Sequence, residues 1–173
     1  TMCFNAPSSL IAWGLANGIA LYLWNRNRGY DRWNTTFIAT FTIIQLLEAG
    51  IWSFEEANKV FTALILIALL AQPLVQSYMG WKYTQKQLLL VMTYIYLGLI
   101  VCGILRLSSG IHNFRSYKGP QGHLVWEYKD RNHILSPFTW LYLLGLFVPL
   151  LFMGKAGIPL LLIGVLTFLY SWV

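Results

Sequence analysis

Long apolar blocks dominate this sequence and constrain its fold more than any other feature. Several blocks approach the roughly 20 residues that an α-helix needs to cross about 30 Å of hydrocarbon. Backbone N–H and C=O groups in lipid must be satisfied internally, so only helices and closed β-barrels cross a membrane. Barrel strands alternate in polarity, whereas these blocks are continuously apolar. The sequence therefore predicts an all-α, polytopic transmembrane helical bundle.

The charge distribution supports this fold class and indicates the partner. Only 10% of the 173 residues are charged, whereas a soluble domain carries about 25%. The net charge is +6. The basic residues lie between the apolar blocks, where they set topology and attract anionic lipid headgroups. We therefore expect the lipid bilayer, and not nucleic acid, as the partner of the basic residues.

We predict a single transmembrane domain over residues 1–173 with about six spans. The predicted spans are 8–24, 33–54, 57–79, 88–107, 134–153 and 156–173. One long polar loop, residues 108–133, separates the fourth and fifth spans and holds all three histidines. The chain stops inside an apolar block, so we expect a native C-terminal segment beyond Val173.

Span parity places the N-terminus, the turn between spans two and three, and the long loop on one side. The 12 Lys and Arg residues divide evenly between the two sides. The first span has no basic residue before it and three just after it, which favours a non-cytoplasmic N-terminus and long loop. Trp24 and Trp33 lie near predicted span ends, where indole rings favour the headgroup zone.

Glu48 is the only acidic residue inside a predicted span. Gln45, Glu48 and Trp52 follow at i, i+3 and i+7, which puts them on one helical face. Gly50 would let a neighbouring helix approach closely. An ionised carboxylate at the centre of a span costs at least about 2.5 kcal/mol, so it is protonated, paired or open to water. We predict a cation or proton site here; the alternative is a neutral glutamic acid that fixes helix packing.

Arg106 is the predicted counter-ion of this site. Its span ends on the side nearest Glu48, and a long arginine side chain can reach into a bundle. The alternative is an ordinary interfacial arginine that extends outward.

Further polar residues within the spans form a predicted secondary polar track of Asn17, Gln72 and Gln76. Gln72 and Gln76 share a helical face, and Pro73 between them frees a backbone carbonyl. The alternative is interhelical hydrogen bonding, worth less than about 2 kcal/mol for each bond.

The long loop combines a predicted extended segment with candidate metal ligands. Residues 123–128 alternate in polarity, which indicates an extended or re-entrant segment. Residue types that bind divalent metals lie on the same predicted side, namely Cys3, His112, His123 and Glu127. They lack the spacing of a local motif, so the fold would have to assemble the site. A solvated interfacial loop is the alternative.

Three segments resemble a family of small polytopic membrane proteins that open with Met-Cys-Phe-Ser-Ala. They are the opening 2–9, the 45–52 segment that matches a Gln-x-x-Glu-Gly/Ala-x-x-Trp signature with one extra position, and the glycine–histidine segment 122–126. Asn5 stands where the family has serine. The resemblance implies a polytopic topology and selects Glu48, but no established activity comes with it.

Three functions are compatible with these features. A small transporter or channel-like bundle would use Glu48 as its cation or proton site. A subunit or scaffold, as a homo-oligomer or in a larger membrane complex, would use the lateral surface of this aromatic-rich bundle. A membrane enzyme with a divalent metal cofactor is the third. No nucleophile elbow, P-loop or dinucleotide fingerprint is present, so no catalytic residue is predicted and an enzyme is the least favoured.

Overall fold

A computed structural model of the chain describes residues 5–110, 115–119, 124–127 and 137–170. The helices are α1 (Ala6–Arg26), α2 (Asp31–Ser53), α3 (Asn58–Thr84), α4 (Gln87–Gly110), α5 (Pro137–Leu151) and α6 (Gly157–Tyr170). Two short 3₁₀ turns, Glu55–Ala57 and Gly154–Ala156, connect α2 to α3 and α5 to α6. One antiparallel hairpin follows α4, with β1 (Arg115–Lys118) and β2 (Leu124–Glu127). The predicted all-α class is confirmed.

The number of spans is smaller than the sequence indicated. In the part of the chain that is described, four helices, α1 to α4, are long and apolar enough to cross a membrane. Helices α5 and α6 have 15 and 14 residues, fewer than the roughly 20 that a span needs. Helix α5 ends in tight turns from Phe152 N–H to Pro149 O and from Met153 N–H to Leu150 O, 3.1 and 3.0 Å. The described residues therefore support about four spans rather than the predicted six; residues 134–136 and 171–173 of the two remaining predicted spans lie outside them.

Local sequence signals set the ends of α1. Asn5 accepts a hydrogen bond from Ser8 N–H at its Oδ1, 2.8 Å, and Pro7 occupies the first turn, where its missing N–H costs nothing. Asn27 closes the helix in the left-handed conformation with φ 48°, which asparagine tolerates better than most residues. The turn to α2 is then fixed by Asp31, which accepts from Arg26 at 2.6 and 2.8 Å.

Helix α3 lies at the centre of the bundle and contacts α2, α4 and α5, while α1 packs on α2 and α6 on α5. Small residues allow these close contacts. A Cβ added at Gly145 of α5 would collide with Pro73 of α3 and Tyr96 of α4. The three helices therefore meet at one point, which glycine alone can occupy without displacement.

The buried apolar residues form two clusters at opposite ends of the α2–α3 pair. The cluster near the α2–α3 turn, called here the hairpin-side cluster, consists of Ile44, Ile51, Ile65, Ala68 and Leu124. The second cluster consists of Trp33, Met79, Leu150 and Met153.

The long loop contributes the β-hairpin to the first cluster. The strand register pairs Ser116 with Trp126 and Lys118 with Leu124, so the extended segment predicted for residues 123–128 is confirmed for Leu124–Glu127. Leu124 lies at the turn end of the hairpin and is 3% exposed. Ser116 and Leu124 are therefore packed into the bundle, while Arg115, Tyr117 and Lys118 of β1 are exposed.

Candidate functional site

Glu48 lies on the inward face of α2 and is 2% exposed. Ile44 precedes it by one helical turn and Ile51 follows it by three residues, and both belong to the hairpin-side cluster. Because α2 and α3 are antiparallel and joined by a short turn, Glu48 lies level with the stretch of α3 around Ala63 to Ile65. By helix rise this level is about 7–8 Å from the end of α2. The carboxyl group is thus inside the protein, not against lipid.

The two residues predicted to share this face are half-buried. Gln45 lies one turn before Glu48, and Trp52 lies one turn after it and packs against the hairpin-side cluster. The Trp52 indole Nε1 is fully buried and has no hydrogen-bond partner among the described residues. A buried donor that lacks a partner costs roughly 1–3 kcal/mol. A hydrogen-bond acceptor for this N–H, one helical turn from Glu48, would therefore stabilise the protein.

Gly50 behaves as the sequence predicted. A Cβ at this position would lie 2.6–2.9 Å from three atoms of the Phe61 ring on α3. The absent side chain lets Phe61 lie against the α2 backbone, and this contact draws α2 and α3 together beside Glu48.

The predicted counter-ion is only partly located. Arg106 lies in the last turns of α4, but its side chain is outside the described residues. Its pairing with Glu48 therefore stays a prediction.

The amides of α3 form a second buried polar group, deeper in the bundle. Gln76 Oε1 accepts from Trp33 Nε1 of α2 at 2.7 Å, and Gln76 Nε2 donates to Leu146 O of α5 at 3.4 Å. Gln72 Oε1 accepts from the Tyr142 hydroxyl of α5. Within the described part of the chain, Gln72 Nε2 is buried without a partner. These amides join three helices and keep one unused donor.

Sequence reasoning missed the aromatic partners of these amides. Trp33 was expected in the headgroup zone, but it is 0% exposed and hydrogen-bonded. Its position near a span end gave no sign of this, because α3 and α5 cover the ring there. Tyr96 on α4 likewise donates to Leu141 O at 2.6 Å. The sequence signal that could have indicated this is the position of Tyr96 in the middle of an apolar span, where a hydroxyl group needs a hydrogen-bond partner.

The third residue of the predicted polar track lies elsewhere. Asn17 of α1 donates from Nδ2 to Trp13 O at 2.8 Å and to Thr42 Oγ1 of α2 at 3.2 Å. It joins α1 to α2, whereas Gln72 and Gln76 join α3 to α5 and α2. The described contacts of all three are interhelical hydrogen bonds, which is the alternative that the sequence left open.

The candidate metal ligands are largely outside the described residues. Cys3, His112 and His123 are not described, and of Glu127 only the backbone position in β2 is. Across residues 5–110 and the described pieces beyond them, no group of three or more His, Cys, Asp or Glu side chains could hold a metal ion. The metal site stays a prediction.

Comparison of the chain with protein-family models, with curated proteins and with solved structures returned no match. The resemblance to the Met-Cys-Phe-Ser-Ala family therefore stays a prediction too.

Proposed function

We propose that this helical membrane protein is a small transporter that moves protons by protonation and deprotonation of Glu48. The observation that carries the proposal is a carboxyl-bearing side chain that is 2% exposed within a bundle of membrane-spanning helices. Intramembrane acidic residues are rare because of their cost, and they mark ion or proton pathways more often than structure.

The surroundings of Glu48 favour a proton over a metal ion. Ca²⁺ takes six to eight oxygen ligands, and Mg²⁺ needs a near-octahedral set. Ile44 and Ile51, which flank Glu48 on α2, belong to an aliphatic cluster, and Trp52 one turn away carries a buried N–H donor. A donor repels a cation but stabilises an oxygen, either of a water molecule or of the carboxylate. A proton needs no coordination shell and leaves the carboxyl group uncharged.

Transport then follows from the difference in cost between the two protonation states. The neutral carboxylic acid is tolerated in the bundle, whereas the carboxylate requires water or a counter-charge. Glu48 would take up a proton while it is in contact with water from one side of the membrane. It would release the proton while it is in contact with water from the other side. On the far side, the amide group at Gln72 and Gln76 offers uncharged polar atoms to water, including the unused donor Gln72 Nε2.

Proton flux into proteoliposomes tests the proposal. A potassium gradient with valinomycin sets the potential, and an enclosed pH dye reports the flux. We expect Glu48→Gln to lower the protein-dependent flux at least tenfold, because the amide cannot exchange a proton. The matched control is Glu56→Gln, the same substitution at an exposed residue of the α2–α3 turn, which should retain wild-type flux.

Three outcomes would count against the proposal. Equal flux in wild type and Glu48→Gln would remove Glu48 from any transport role. A wild-type protein without flux, isolated as part of a defined larger complex, would favour the subunit or scaffold function, and stoichiometric metal in elemental analysis would favour the enzyme.

A further inference from the structure

The β-hairpin is bound to the start of α3 by a set of polar contacts that the transport proposal does not use. Asn58 Oδ1 accepts from Ser116 N–H at 2.8 Å, and Asn58 Nδ2 donates to Ser116 O at 2.9 Å. One side chain of α3 therefore pairs with both backbone groups of one residue of β1.

The hydroxyl groups of Thr62 and Ser116 add a third contact, at 2.7 Å between the two oxygens. Thr62 also donates to Asn58 O at 2.8 Å, which uses its single hydrogen, so Ser116 is the donor between the hydroxyls. Both residues are buried, at 0% and 3% exposure. We call Asn58, Thr62 and Ser116 the latch.

The latch holds the hairpin with Ser116 and Leu124 buried, while Arg115, Tyr117 and Lys118 of β1 are exposed. Ser116 is paired to the first two turns of α3, whereas Leu124, two register positions nearer the hairpin turn, belongs to a cluster that includes Ile65 and Ala68. Ala68 is ten residues beyond Asn58 in α3, about 15 Å further along the helix. Leu124 thus joins the cluster that contains the neighbours of Glu48 on α2.

We propose that the hairpin is a gate that separates Glu48 from water on the side of the α2–α3 turn, and that the latch holds this gate shut. The role as a gate for protons rests on the transport function proposed above. A buried carboxyl group has to meet water to exchange its proton, and the end of α2 is only about 7–8 Å from Glu48 by helix rise. Leu124 of the hairpin packs in the same cluster as Ile44 and Ile51, the residues that flank Glu48 on α2.

The hairpin is suited to move as a unit. A two-stranded hairpin is at best marginally stable alone, and the contacts that hold it among the described residues are the latch and the packing of Leu124. The latch atoms are all uncharged, and each neutral hydrogen bond contributes only a modest net stabilisation. Opening the latch therefore does not require the separation of buried charges.

A reversible cross-link tests the gate without weakening the fold. The two hydroxyl oxygens are close enough for Thr62→Cys and Ser116→Cys to form a disulfide with a small adjustment. The pair is made in a protein whose native Cys3 and Cys102 are replaced by serine. One readout is modification of Glu48 by a water-soluble carbodiimide with glycine ethyl ester, quantified by mass spectrometry; the other is proton flux.

We expect oxidation of the cysteine pair to lower Glu48 modification at least tenfold and to lower flux in parallel, with recovery on reduction. Each single cysteine variant, treated identically, should show no change. Equal modification in the oxidised and reduced pair would overturn the gate.

Opening the latch should have the opposite effect. Asn58→Ala removes both contacts to the Ser116 backbone and should raise Glu48 modification about tenfold. Asn34→Ala, at the other end of α2, is the matched control and should leave modification unchanged. Equal modification in the two alanine variants would also contradict the gate.

The two readouts separate this inference from the transport proposal. Modification that responds to the cross-link, in a protein without Glu48-dependent flux, supports the gate and refutes transport. If proton flux depends on Glu48 but the extent of Glu48 modification is the same with the latch cross-linked or open, transport is supported and the gate is refuted.

Discussion

The hydrogen bond between Trp33 and Gln76 gives a quantitative test of the buried polar group. Trp33 is 0% and Gln76 1% exposed, and the bond measures 2.7 Å. Trp33→Phe leaves the buried Oε1 of Gln76 without its donor, which costs roughly 1–3 kcal/mol. The smaller ring also leaves a cavity, at about 24 cal/mol for each Å³ that does not collapse. We therefore expect the free energy of unfolding to fall by about 2–4 kcal/mol.

A double-mutant cycle isolates the bond from the cavity. Gln76→Leu alone leaves the indole N–H of Trp33 unpaired, whereas Trp33→Phe with Gln76→Leu removes both polar partners. The double variant should therefore lose less stability than the sum of the single variants. Hydrogen bonds between membrane helices couple by about 0.6 kcal/mol on average and by up to about 1.7 kcal/mol. Full burial of both side chains puts this pair near the upper value, and we expect about 1–1.7 kcal/mol.

Reversible unfolding in mixed micelles of a mild detergent and dodecyl sulfate, followed by circular dichroism, measures these energies. The control cycle combines Trp33→Phe with Asn17→Ala, whose partner on α2 is Thr42. Thr42 is nine residues from Trp33, about 13 Å by helix rise, so these changes should add within about 0.5 kcal/mol. A coupling energy for Trp33 and Gln76 no larger than in the control cycle would refute the reasoning.

Two further predictions concern helix contacts and use the same unfolding assay. Gly145→Ala should lower the free energy of unfolding by about 1–3 kcal/mol, because the added Cβ collides with Pro73 and Tyr96 from two other helices. The control is Gly98→Ala, where no atom lies within 4 Å of the added Cβ, and this change should be neutral or slightly stabilising. Equal losses of stability in the two variants would contradict the three-helix contact. Asn17→Ala should cost about 0.6 kcal/mol and at most about 1.7 kcal/mol, because it removes one interhelical bond; a larger loss would mean that α1 depends on Asn17 for its place in the bundle.

Local patterns predicted the parts of the fold that depend on neighbouring residues in sequence. The 3.6-residue period placed Glu48 inward, and the missing side chain of Gly50 predicted the close contact that Phe61 makes. The short turn at Glu55–Ala57 was equally readable, because two acids interrupt two apolar blocks. Each inference needs only helical geometry and the cost of charge in lipid.

The features that were missed depend on contacts between distant residues. Asn58 and Ser116 are 58 positions apart, and neither carries a local signature of the other. Trp33 looked like an interfacial aromatic because burial by α3 and α5 is invisible in the sequence of α2. The span count differs for another reason: hydropathy measures how apolar a segment is and does not give the length of the helix within it, and α5 and α6 have 15 and 14 residues in the described part of the chain.

The pairing of Asn58 with Ser116 has a consequence for the hairpin as a sheet. A two-stranded sheet has two open edges, and unpaired edge groups are costly near lipid and can template pairing with another chain. Asn58 satisfies both the N–H and the C=O of Ser116, so a single helical side chain occupies the place of a third strand at that point. The amide carries its donor and its acceptor on two separate atoms and can pair with both groups at once, whereas an aspartate of the same shape only accepts. The amide group of Asn58 on α3 thus satisfies the open edge of β1 at Ser116.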